Sequence, residues 1–217
     1  MNCPLCQSTD CLEIWTHKAW NQERFHHCGS CDAVFVHPDF QSSLEVEKAR
    51  YESHNNDESS RGFVEFLMQT VREIDPRLPK GARILDFGSG PEPLLSRLLM
   101  ESGFSVVSYD PFFCPTWPTG QFDLVLVHEV FEHLREPRQE LQRLRNFMNP
   151  SGTLLIRSEI CPERSEFAGW WYARDFTHLF FCSQQTLEWI AQNESWTLDL
   201  WSRNLWAFTR AKPSINS

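Results

Sequence analysis

Two Cys-x-x-Cys pairs, Cys3-Pro-Leu-Cys6 and Cys28-Gly-Ser-Cys31, stand twenty-one residues apart. A pair of thiolates on a tight turn fills two corners of a tetrahedron, and a second pair brought alongside by a hairpin closes a zinc site with no open position. Such a site is expected to be structural, with the metal supplying folding free energy that so small a segment cannot draw from a core. Cys11, His26 and His27 are nearby substitutes should one of the four not ligate. A second set begins at Asp86, which ends the apolar run Ile84-Leu85 and precedes Gly88 and Gly90. A carboxylate at a glycine turn that opens a helix lets backbone approach a nucleotide-like ligand closely. Pro93 stands where the third glycine of the dinucleotide pattern would fall, which argues against a nicotinamide cofactor. Asp110 ends the next apolar run, and its two oxygens suit two vicinal hydroxyls. Further on, His128 and Glu129 end a third run, and Glu129, Glu132 and His133 have a spacing that can gather a hard divalent ion such as magnesium.

The elements that must hold these groups follow from periodicity. Leu12 to Trp15, Arg24 to His27 and Val34 to Val36 read as three short strands of a zinc ribbon over residues 1–40. Residues 41–60 read as a polar linker or cap with a helical turn near Ser43 to Tyr51. Its Tyr51, His54 and Asn55 are candidate contacts to a bound substrate, against the plainer reading of a self-bonded turn. Phe63, Phe66, Leu67, Thr70, Val71 and Ile74 recur at helical spacing. Parallel strands are expected at Ile84 and Leu85, Gly103 to Asp110, Phe122 to Val127 and Gly152 to Ile156, with Asn149 to Gly152 as the turn into the last. Only Pro111 to Gln121 separates Asp110 from the following strand, too few residues for a helix and another parallel strand. Trp196 to Trp201 and Leu205 to Thr209 read as a closing antiparallel pair behind a helix capped by Ser183.

The pieces Ile-Leu-Asp-Phe-Gly-Ser-Gly, Tyr-Asp, Phe-Asp-Leu-Val-Leu-Val-His-Glu-Val-Phe-Glu-His-Leu and Asn-Pro-Ser-Gly-Thr-Leu-Leu-Ile together resemble the class I S-adenosylmethionine-dependent methyltransferases, from roughly Phe63 to Arg210. The resemblance implies an α/β, Rossmann-like, mostly parallel sheet over residues 61–217, with the usual third strand missing or reduced. It implies S-adenosylmethionine as cofactor, held by Asp86, Gly88, Gly90 and Asp110, with Pro111, Phe112, His128 and Glu129 in the same crevice. The Glu-x-x-Glu-His string resembles that of ubiquinone-pathway and small-RNA methyltransferases, where it implies magnesium or a similar ion at Glu129, Glu132 and His133. Trp171 to Phe181 resembles the Trp-Tyr-x-x-Asp-x-Thr-His-x-x-Phe segment of one branch. There Trp170, Trp171, Tyr172, Arg174 and Asp175 are candidate substrate contacts, and His178, His133 and His128 are candidate bases. The alternative for the aromatics is a cap that closes the core.

A net charge of −9 argues against broad adhesion to phosphate backbones. Lys18, Arg24, Lys48 and Arg50 are the only lysines and arginines before Arg61, and acids outnumber them, so the ribbon is not expected to grip nucleic acid. No run approaches the ~20 apolar residues of a membrane span, and no basic-then-apolar leader opens the sequence, so a cytoplasmic protein is expected. Methyl transfer to a small or planar metabolite is the leading expectation. RNA-base methylation aided by the ribbon and a non-catalytic cofactor-binding module are the rivals. The sequence is silent on the methyl acceptor and on oligomeric state.

Overall fold

The computed structural model describes residues 1–18, 22–53 and 59–211. Three antiparallel strands come first, β1 (Cys11–Thr16), β2 (Arg24–Cys28) and β3 (Val34–Val36). Two helices follow, α1 (Leu44–Glu52) and α2 (Arg61–Ile74). The alternating part then runs β4 (Arg83–Phe87), α3 (Leu94–Glu101), β5 (Ser105–Tyr109), β6 (Phe122–His128), α4 (Pro137–Phe147) and β7 (Met148–Arg157). The chain closes with α5 (Arg164–Phe167), β8 (Phe180–Phe181), α6 (Gln184–Glu194), β9 (Trp196–Ser202) and β10 (Leu205–Arg210).

The main sheet has the order β5-β4-β6-β7-β10-β9. The first four strands are parallel, and β10 is antiparallel to both β7 and β9. The run from Pro111 to Gln121 forms neither helix nor strand, so β5 is the sheet's edge, as the short connection required. Alternation along the strands sorts their side chains to two faces. Ile84, Leu124, Leu126 and Leu155 pack with α2 and α3, while Leu85, Val125, Val127 and Ile156 pack with α4 and α6. One expectation is corrected. Residues 149–152 are not a turn before β7 but part of it, where the pairing with β6 slips between Phe122–Met148 and Leu124–Thr153. Helix α4 ends directly against Met148, so the strand starts at once and absorbs the extra residues as an irregularity.

The N-terminal strands do not stand apart. β3 pairs with β8, Val34 opposite Phe181 and Phe35 opposite Phe180, giving a second sheet of order β1-β2-β3-β8. Cys3, Leu5, Cys28, Cys31 and Phe35 share one buried cluster with Val127 and Phe208 of the main sheet and with Phe131 in the turn after β6. A further cluster of Phe25, Val36, Phe167, Leu179 and Phe181 seals the small sheet to the segment before α6.

Candidate active site

The four cysteines converge as their spacing requires. Cys3 and Cys31 sulfurs lie 3.6 Å apart and those of Cys6 and Cys28 3.4 Å, and all four lie within 4.8 Å of one another. Zn–S bonds of about 2.3 Å imply tetrahedron edges of about 3.8 Å, whereas a disulfide would be about 2.05 Å. Both knuckles turn alike: the residue after each second cysteine is left-handed, Gln7 at φ 65° and Asp32 at φ 62°. Each donates its N–H back to the first cysteine's carbonyl, at 3.0 and 2.9 Å. Four thiols this close cannot all ionise without a cation. Its contact with Cys3, then burial, pushes the Cys31 thiol up, while the hydrogen bond from Cys31 holds Cys3 down at about 5. The donor set fits zinc, and Cys11, His26 and His27 lie outside it.

At the carboxyl ends of β5, β4 and β6 opens a cavity of about 980 Å³. Its first wall is the glycine turn. Gly88 (φ 84°) and Gly90 (φ 71°) are both left-handed, a conformation that favours glycine. A Cβ on Gly88 would meet Val130 at 2.5 Å, whereas one on Gly90 would meet nothing within 4 Å. Gly88 therefore serves close packing, and Gly90 faces open space. Between them the Ser89 hydroxyl is buried without a partner. Asp86 accepts from the Ser96 hydroxyl at 2.6 Å, and burial pushes its carboxyl up to about 6. Asp110 lies at the same end. Its Oδ2 accepts from Gly90 N–H at 2.9 Å, and its Oδ1 from Phe112 and Phe113 N–H at 2.8 and 3.1 Å. Of roughly four acceptor positions on a carboxylate, three are used, which leaves Oδ2 able to take one further hydroxyl. Pro111, Phe112 and Phe113 line this end. Trp117 packs instead on Tyr109 and Phe147, filling the flank left by the missing strand.

The opposite wall is built from residues 128–133 and 171–178. His128 ends β6 with Nε2 3.0 Å from the Thr70 hydroxyl, and burial, then Arg157, lowers it to about 3. A ring so hard to protonate and already paired is poorly suited to take a proton, so of the three expected bases His128 is the one the geometry disfavours. Glu129 is left-handed at φ 53°, its N–H donating to the Arg157 carbonyl at 2.9 Å. The Tyr172 hydroxyl bridges it, at 3.0 Å, to the buried Glu132, and also lies 3.3 Å from Ser158. Burial, then the mutual repulsion of the pair, pushes Glu129 up to about 8; burial also raises Glu132, to about 7. One Glu132 oxygen has no partner.

The ligand atoms that meet within 4.8 Å are those of Glu132, His133 and His178. The expected trio of Glu129, Glu132 and His133 is thereby corrected: the left-handed turn at Glu129 sends its carboxylate to Tyr172 and Arg157, and His178 takes its place. His133 Nδ1 faces the Thr177 carbonyl at 2.8 Å and His178 Nδ1 the Tyr172 carbonyl at 2.7 Å. Both carbonyls require N–H at Nδ1, which leaves Nε2 of each neutral ring as the lone-pair nitrogen.

The remaining expected contacts divide. Tyr51, on α1, packs on Phe112 and His133 and lines the cavity; His54 and Asn55 lie outside the described residues. Trp171 stands at the rim, 63% exposed, and Tyr172 lies within. Trp170, Arg174 and Asp175 are off the cavity wall. Trp170 is taken up by Phe167 and Phe181, Arg174 by the Gly169 carbonyl, and Asp175 by Arg50 at 2.9 Å. Sequence reading missed Thr70, Arg157 and Ser158. Arg157, at the carboxyl end of a parallel strand, was the one with a usable signal.

A family model described as a methyltransferase domain matches residues 57–199. No curated protein matches. Among solved structures the chain is similar to the 1,6-didemethyltoxoflavin-N1-methyltransferase of Burkholderia thailandensis, solved with 1,6-didemethyltoxoflavin and S-adenosylhomocysteine bound. The identity is 16%, over 89% of this chain and 97% of that one, with a TM-score of 0.58. It is also similar to a SAM-dependent methyltransferase from Aquifex aeolicus (15% identity, 75% and 98% of the two chains, TM-score 0.51). An O-methyltransferase family protein from Burkholderia thailandensis is a third (12%, 77% and 64%, TM-score 0.53). Likeness at these identities establishes the fold.

Proposed function

Since the chain belongs to the methyltransferase-domain family, we propose that it transfers a methyl group from S-adenosylmethionine to a small or planar metabolite. The observation that carries this reading is the cavity between the glycine turn and the Glu129–Tyr172–Glu132 wall. Its first half fits the cofactor. Gly90 leaves room for a close ligand, Ser89 has a hydroxyl to offer, and Asp110 retains one acceptor position for a ribose hydroxyl. The bound cofactor would supply a methyl group already activated on a sulfonium. The chain's own tasks are therefore to align the acceptor and to exclude water. Tyr51 and Trp171 offer aromatic faces for a planar acceptor, and His133 and His178 each carry a lone pair at Nε2 able to take its proton.

The charges of the cavity favour a small molecule over RNA. Its two guanidiniums, Arg135 and Arg143, are already paired with Glu47 and Glu140, which leaves none for a phosphate track. No helix among the described residues is long and apolar enough to cross a membrane.

Calorimetric titration with S-adenosylhomocysteine tests the cofactor site. Binding by the native chain, weakened about tenfold or more in Asp110→Ala, is expected; a native chain that takes up no ligand would end the reading.

A further inference from the structure

We propose that Glu129 is the counter-charge to the cofactor's sulfonium and makes this cavity hold the methyl-donating cation more tightly than the neutral thioether left after transfer. The inference rests on the cofactor reading above and concerns what the chain does with the charge. Geometry supplies the first argument. Asp110 follows β5, the glycine turn follows β4, and Glu129 follows β6, three adjacent strands in that order. Strands lie about 4.8 Å apart. A ligand whose sugar is held at Asp110 and which extends across the glycine turn therefore meets Glu129 on the far side. The left-handed φ of 53° at a non-glycine residue turns that carboxylate into the cavity, and 32% of the side chain is exposed there.

The surrounding charges supply the second. Glu129 is faced by Glu132 from the turn after β6, by the Tyr172 hydroxyl from the turn Trp171–Arg174, by Arg157 from the end of β7 and by Glu159 just beyond it. The imidazoles of His133 and His178 line the same cavity. Three carboxylates therefore stand against one guanidinium. Arg157 is itself divided: its Nε lies 3.7 Å from Glu129, while its Nη1 donates to the Arg203 carbonyl and its plane packs on Phe66. Glu132, 1% exposed, keeps one oxygen without any partner. An arriving cation meets negative charge that the protein has not balanced. A thioether gains nothing from it.

Transfer removes that attraction. The acceptor's lone pair forms the bond to the methyl carbon, the carbon–sulfur bond breaks with both electrons left on sulfur, and the positive charge passes to the acceptor and leaves with its proton. The charge that favoured entry of the donor thus no longer holds the spent cofactor, and product release follows from the same residue.

The test needs no acceptor. The full-length, zinc-loaded chain is titrated calorimetrically at about pH 9, above the value of about 8 to which burial raises Glu129. The ligands are S-adenosylmethionine, S-adenosylhomocysteine and an analogue carrying an ammonium in place of the sulfonium. Both cations should bind about tenfold more tightly than the thioether. Glu129→Gln should bring that ratio to about one. If Glu129→Gln does not fold, Glu129→Asp, which withdraws the carboxylate by one methylene, should lower the ratio at least about threefold. Equal affinities in the native chain, or a ratio unmoved by a folded variant, would overturn the proposal and leave the cofactor site standing. Failure of all three ligands to bind would overturn the methyltransferase reading itself.

Discussion

Single residues in this cavity separate structural from ligand-directed roles. Gly88 and Gly90 share a left-handed backbone, which costs a side-chain-bearing residue about 1–2 kcal/mol. Only at Gly88 would a methyl also strike a neighbour, Val130 at 2.5 Å. Gly88→Ala is therefore expected to lose well over 2 kcal/mol in denaturant unfolding, strain and overpacking together. Gly90→Ala should lose about 1–2 kcal/mol yet weaken S-adenosylhomocysteine more than about tenfold, because its methyl projects into the ligand's space. Equal affinity losses in two folded variants would contradict the division. The buried acids give a pH signature. Burial raises the folded-state values of Glu129, Glu132 and Glu23, so their stabilisation is complete below the unfolded range of about 4.3 and is lost as pH climbs through about 7 to 8. His128 is depressed, so its contribution has the opposite sense and is already complete above about 6.5. Between about pH 6.5 and 8 only the acids act, and the melting temperature of the ligand-free, metal-loaded chain should fall. Glu129→Gln should flatten the fall without abolishing it, since Glu132 and Glu23 remain.

At the level of elements, much was legible because strand runs and glycine turns carry their own signals. The four parallel strands and the closing antiparallel pair follow from run lengths, the absent third strand from the family resemblance together with the short stretch after Asp110, and both Cys-x-x-Cys knuckles from spacing. What escaped depends on contacts distant in sequence. β8 is two residues long and exists as a strand only because β3 lies beside it, so no local pattern marks it. Trp170, Arg174 and Asp175 looked like substrate contacts because aromatic and charged residues cluster there; which of them turn inward is set by Phe167, Gly169 and Arg50. Helix α1 is a similar case. Its polar sequence reads as linker, and among its residues only Glu47 is buried. It is pinned by Arg135, which pairs with Glu47 and donates to Gln41 and the Ser42 carbonyl, and by Arg50 on Asp175. Breaking one side of a buried pair is costly, so Arg135→Met should destabilise the chain by about 3 kcal/mol. Adding Glu47→Gln should return part of the loss, because the stranded carboxylate is then gone. A double variant no better than the single would show that Arg135 acts through Gln41 and Ser42 instead.

For the whole molecule, the decisive feature is that the two Cys-x-x-Cys knuckles belong to the common core. Cys3, Cys28 and Cys31 are buried with strands β4, β6, β7 and β10 as well as with one another, and Cys182, next to β8, joins the same cluster. The segment carrying His178 is held on one side by Leu179 N–H donating to the Glu132 carbonyl and on the other by Val36 N–H donating to the Leu179 carbonyl, at 2.7 and 2.8 Å. A separate zinc module on a linker would melt alone and leave the methyltransferase domain intact. Here the four-cysteine cluster closes the base of the strand from which one cavity wall hangs, so the free energy of a zinc bound there would be shared by both sheets. Binding that occurs only in the folded state stabilises that whole state. The zinc-loaded chain should therefore unfold in one calorimetric transition, with calorimetric and van't Hoff enthalpies equal. A strong chelator should lower the melting temperature of that transition without splitting it, and Cys6→Ser should do the same. In hydrogen exchange, the amides of Val36 and Leu179 should lose protection on chelation together with those of β4 and β6. Two transitions, with the parallel strands protected after the metal has gone, would show that the ribbon is an appendage and that the cavity wall stands without it.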